Sequence, residues 1–103
     1  MKSALDDYLT IDGTDEHDDP FAYFAALQRQ INSGLIWKMQ GSCGRAAMSA
    51  IESGHCILGR ESHRDYWGNA IPSRDDVAAG TKGSAKFCSD LWGPEWLAKI
   101  EAL

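Results

Sequence analysis

Apolar residues recur with helical spacing in three stretches of the chain, and that spacing is lost between the second and the third. Phe21, Phe24, Leu27 and Ile31 follow one another at steps of three and four, with Gln28, Arg29 and Gln30 on the polar side. This stripe predicts an amphipathic helix. Asp19-Pro20 suits its start, a carboxylate for the orphan amides and a proline at the first helical position. Asn32-Ser33-Gly34 suits its end, where glycine accepts a left-handed cap. Leu35, Met39, Cys43, Ala46 and Ala50 then repeat at steps of four, four, three and four, with Ile36, Ala47 and Ile51 widening the stripe. A second helix capped by Ser33 and stopped by Gly54 is expected. Gly41 and Gly44 weaken it, because each helical glycine costs about 1 kcal/mol relative to alanine. A strand over Leu35–Met39 is the competing reading of that short apolar run. Ser84 caps a last stretch with Phe87, Leu91 and Trp92, Gly93-Pro94 interrupts it, and Trp96, Leu97 and Ile100 continue towards Leu103.

Between Gly59 and Gly83 glycines and turn dipeptides replace periodicity. A loop of about 20–25 residues is long for a small domain, and such loops are more often functional or disordered. Tyr66, Trp67 and Ile71 argue for order, since they call for burial. Ser73-Arg74-Asp75-Asp76 offers one short helical turn. The expected architecture is mainly α: one small domain over residues 19–103, with three or four helices around a long ordered loop at about 59–83.

The formal net charge of −5 sits at one end of the chain. Seven acids up to Asn32 (Asp6, Asp7, Asp12, Asp15, Glu16, Asp18 and Asp19) face only Lys2 and Arg29, while eight acids and eight bases cancel from Ser33 onward. Residues 1–18 thus read as an acidic, partly disordered leader. It is either a solvated segment or a surface for a basic partner. It repels polyanions over about 8–10 Å, which disfavours duplex DNA. No stretch approaches the ~20 apolar residues of a membrane span, and the opening MKSALDDYLT has no secretory core. Three cysteines are an odd number, which speaks against a complete disulfide framework and for free thiols in a cytosolic setting.

Candidate chemistry concentrates in the loop. If Arg45, Arg60, Arg64 and Arg74 converge beside Tyr66, Trp67 and Asn69, they form an arginine–aromatic surface of the kind found at interface hot spots and under stacked bases. Lys82, in the Gly80–Ser84 run GTKGS, adds an anion-holding cation, although the phosphate-loop spacing is missing. The structural alternative has Arg64 or Arg74 bonding loop carbonyls and an acid, with Trp67 as the apolar anchor that fixes the loop as a lid over the core. Cys43, His55, Cys56, His63 and Cys88 lack zinc-site spacing, and no signature supports a Cys–His pair such as Cys56 with His63 or Cys88 with His55. Neither a catalytic site, a metal nor a cofactor is expected.

INSGLIWKMQGSCGRAAMSAIESGHCILG, HRDYWGNAIPSRDDV and GTKGS resemble a group of small proteins of tailed phages and prophages that carry no assigned activity. The resemblance runs from Ile31 to about Ser84. It implies a phage origin, action in the host bacterial cytoplasm, and the accessory role common among small acidic phage proteins. That role is to bind and block a host or phage protein, anti-defence among the possibilities. A nucleotide or single-stranded nucleic-acid binder is the alternative. A phage structural component is the third, with Trp92, Trp96 and Ile100 as an oligomer interface.

Overall fold

The structure, a computed structural model, describes residues 20–39 and 42–103. The acidic leader, the Asp19 cap and Gly41 lie outside the described residues. The fold is mainly helical: α1 (Pro20–Ser33), a 3-10 helix (Leu35–Lys38), α2 (Ser42–Ser53), a hairpin of β1 (His63–Arg64) and β2 (Ala70–Ile71), α3 (Ala85–Trp92) and α4 (Pro94–Glu101). Among the described residues no helix is long and apolar enough to cross a membrane.

Helix α1 is the centre of the molecule, and its apolar residues serve two cores. Leu27 and Ile31 join Ile36, Trp37, Ala47, Ile51, Cys56 and Leu58 in the larger one. Phe21 packs with Trp96 and Leu97 against Ile57, Cys88 and Ile100 in the smaller. The segment Cys56–Leu58 joins the two. In this non-helical stretch alternate side chains point opposite ways, so Cys56 and Leu58 enter one core and Ile57 the other. Because both of its sides are covered, α1 also buries Gln28 and Gln30.

The second helix differs from the expectation. Gly34 ends α1 in the left-handed region (φ +80°), and the chain then makes a single 3-10 turn. Ile36 and Trp37 are adjacent and both buried, whereas the periodic Leu35 and Met39 are exposed. The tighter turn seats both neighbours in the core, and the extended backbone at Met39 (φ −98°, ψ 141°) makes α2 begin afresh. Neither the continuous helix nor a strand over Leu35–Met39 forms.

The later boundaries follow the sequence reading. The Ser84 hydroxyl accepts the Phe87 amide and caps α3, while Gly93-Pro94 separates α3 from α4. The central loop is ordered, but by a hairpin that periodicity did not reveal. His63 pairs with Ile71 and Arg64 with Ala70, antiparallel. Two main-chain bonds tie the rest of the loop to the body, Leu58 N–H to Gly83 O at 3.0 Å and Arg74 N–H to Gly59 O at 2.9 Å. Ser73–Asp76 forms one isolated turn, closed by the Ser73 amide on Asp76 Oδ2 at 3.0 Å.

Candidate functional site

The hairpin tip is built on Asp65. Its Oδ1 accepts the Trp67 amide at 2.9 Å and the Asn69 amide at 2.8 Å, and its Oδ2 accepts Asn69 Nδ2 at 3.2 Å. Desolvation pushes this carboxyl up, but the Asn69, Trp67 and Gly68 donors outweigh it and hold the group below its ordinary pKa. Arg64 donates to Gly68 O at 2.9 Å, and Asp65 accepts the Gly68 amide on its own carbonyl. Tyr66 and Trp67 are therefore carried on fixed backbone, edge to face with ring centroids 5.3 Å apart.

These two rings are 55% and 70% exposed. The expectation that they need burial is overturned, and Trp67 is not a lid anchor. The hydrogen bonds of Asp65 and Arg64 order the loop tip, so apolar burial is not needed there. Trp67 instead borders a cavity of about 210 Å³ between the hairpin, the 3-10 helix and α2. Ile36 and Trp37 are its buried wall, Met39 and Met48 its exposed one, and Arg45 and Asp65 are its charged residues. Lys38, Ser62, His63, Arg64 and Ala70 line a second hollow. There His63 Nε2 is buried with no hydrogen-bond partner among the described residues.

The four arginines do not converge. Arg60 donates to Leu103 O at 3.0 Å and Glu101 O at 2.6 Å, holding the end of α4. Arg74 donates to Leu58 O at 2.8 Å and Asn32 Oδ1 at 3.1 Å. Burial, then the nearby Arg60 charge, lowers its pKa. Backbone carbonyls have drawn both guanidiniums in, and Arg74 adds the Asn32 amide oxygen. This follows the structural alternative for Arg74, except that no acid among the described residues is a hydrogen-bond partner. Arg45 alone of the four reaches the cavity with Trp67. Asn69 is committed to Asp65, and Lys82 is exposed on the turn before α3.

The tail also departs from the expected interface. Ile100 is fully buried. Trp96 is half-buried with its indole N–H on His55 O at 2.9 Å, and the Trp92 indole donates to Ser53 O at 2.8 Å. His55 lies between Phe24, stacked at 4.2 Å, and Trp92 at 3.9 Å. These tryptophans close the α1–α4 core of their own chain, although Leu91 and Trp92 keep exposed area.

All three thiols are free and buried. Burial pushes Cys56 far up, and burial followed by the Glu101 charge takes Cys88 up to about 11. Both stay protonated at neutral pH, unlike an activated nucleophile. Among the described residues no three His, Cys, Asp or Glu side chains group as metal ligands. Sequence reasoning missed Ile36, Trp37, Met39 and Met48 as cavity residues. The available signal was Met48, an apolar residue three positions from Arg45 on the polar side of α2. No family model, curated protein or solved structure matches the chain.

Proposed function

We propose that the chain is a non-enzymatic accessory protein that binds and blocks or modulates another protein, with the Trp67 tip and the adjoining cavity as its binding face. One observation carries this reading. A tryptophan 70% exposed is held on a hairpin tip fixed by six hydrogen bonds, four of them involving the Asp65 or Arg64 side chain and two between main-chain groups. Large, rigidly presented aromatics lose little entropy on binding and dominate interface energetics. The resemblance of residues 31–84 supplies the setting, a phage protein at work in the infected bacterial cytoplasm. The nucleic-acid alternative draws less support, because Arg60 and Arg74 are spent on carbonyls away from Trp67.

Affinity capture from bacterial lysate with the wild type and with Trp67→Ala tests the proposal. A stoichiometric protein held by the wild type should be lost from the variant, a hot-spot effect of about 2 kcal/mol or more. Equal capture by a variant of unchanged thermal stability would move the binding face elsewhere.

A further inference from the structure

We infer that the cavity beside the hairpin receives a short acidic, apolar segment of a partner protein: one large apolar side chain enters it, and a neighbouring carboxylate meets Arg45. This rests on the reading of the Trp67 face as a protein-binding surface, and names what that surface recognises.

Size sets the first limit. At about 210 Å³ the cavity falls below the roughly 300–1,000 Å³ of sites that enclose cofactors and other small molecules. It exceeds the 150 Å³ or so that admits a benzene ring. A side chain the size of Leu, Met or Phe fits it. The walls agree with that occupant. Ile36 and Trp37 are fixed in the core, whereas Met39 and Met48 are 41% and 44% exposed. Flexible, polarisable thioethers reshape around an inserted apolar group. Trp67 then closes over it and loses its own exposed area.

Charge selects among apolar segments. Asp65 touches the cavity, but its carboxylate already accepts three hydrogen bonds from the hairpin tip. Arg45 is exposed and has no hydrogen-bond or ion-pair partner among the described residues. In the second hollow, Lys38 has no partner among the described residues, and Arg64 meets a carbonyl instead of a carboxylate. An acid arriving with the apolar side chain finds Arg45 in this lining and Lys38 and Arg64 in the second hollow, three cations against the one carboxylate of Asp65, whose lone pairs the hairpin tip already engages. A basic segment would meet those same cations with only Asp65 to offset them. A phosphate would satisfy them equally, yet it brings nothing for the apolar cavity.

The test pans the full chain against displayed random ten-residue peptides, with the Trp67→Ala protein as counter-selection. Peptides that need Trp67 should carry Asp or Glu within two positions of Leu, Met or Phe. A resynthesised example should lose at least about tenfold in affinity on Arg45→Glu, the effect of one charge-assisted hydrogen bond. Its acid-to-Lys version should prefer the Arg45→Glu protein. Arg45 is exposed in the first turn of α2, where an acid is favourable, so the variant keeps its fold. Neutral or basic Trp67-dependent peptides, or indifference to Arg45→Glu, overturn the acidic assignment and leave the binding face standing. No Trp67-dependent peptide, or Trp67-dependent binding of a ten-nucleotide thymidine strand in its place, overturns both.

Discussion

The side chain of Gln28 hydrogen-bonds the backbone of Ile57 in both directions: Oε1 accepts the Ile57 amide at 2.8 Å and Nε2 donates to its carbonyl at 2.9 Å. All of these atoms are buried, and Nε2 also reaches Asn32 Oδ1 at 3.0 Å. The amide does for the Cys56–Leu58 segment what a neighbouring strand would do in a sheet. It lets an irregular backbone run between two cores without orphaned polar groups.

Gln28→Leu should therefore destabilise the protein by about 2–4 kcal/mol, since each unsatisfied buried group costs about 1–3 kcal/mol and leucine satisfies neither. Urea unfolding would read the loss, and faster hydrogen exchange at the Ile57 amide would localise it. A variant as stable as the wild type would mean that water or a backbone shift replaces the pair.

Arg74 extends the same network. Asn32 Oδ1 accepts from both Gln28 and Arg74, and Asn32 Nδ2 donates to Leu103 O at 3.1 Å. Arg74→Ala should cost about 2 kcal/mol, at the middle of the range for hydrogen bonds involving a charged group, while leaving affinity for any Trp67-dependent partner unchanged. The opposite result, intact stability with weakened binding, would return Arg74 to the binding surface.

How much of this could be read in advance depended on whether a signal was local. Ser84, Gly93-Pro94 and the end of α1 are specified by neighbours in sequence, and the structure has them where capping chemistry puts them. The break after Gly34 is not local: Ile36 and Trp37 are buried together by residues from α1, α2 and the Cys56–Leu58 segment. The hairpin was hidden because its strands have two residues each and its stability lies in Asp65, a side chain binding backbone, with little apolar alternation. The arginines misled for a related reason. Their charges were visible in sequence, but the carbonyls that occupy Arg60 and Arg74 arise only on folding.

His55 gives the fold a pH dependence. It lies between Phe24 and Trp92, and desolvation lowers its pKa from the ordinary 6.5 or so. The Ser53 hydroxyl lies 3.0 Å from Ala50 O and 2.7 Å from His55 Nδ1, which holds the ring in place. A base with a depressed folded pKa stabilises fully above its unfolded pKa. The unfolded chain binds the proton first, so stability declines as pH falls below about 6.5 and levels off under the folded value. Thermal midpoints between pH 8 and 5 should fall for the wild type and fall less for His55→Phe. Equal slopes would assign the dependence to other groups.

Two glycines with the same backbone conformation separate strain from contact. Gly34 (φ +80°) and Gly68 (φ +84°) both occupy the left-handed region, where an L side chain costs about 1–2 kcal/mol. A Cβ at Gly68 would meet nothing within 4 Å, but one at Gly34 would clash with the His63 imidazole. Gly68→Ala should therefore lose only the conformational increment. Gly34→Ala must also displace His63, which pairs with Ile71 at the base of the hairpin. We expect it to lose more stability than Gly68→Ala and to shift the amide resonances of residues 63–71, a change that Gly68→Ala confines to the tip. Equal losses in the two variants, with the β1–β2 resonances unmoved, would mean that the hairpin stands without the seat that Gly34 provides for His63.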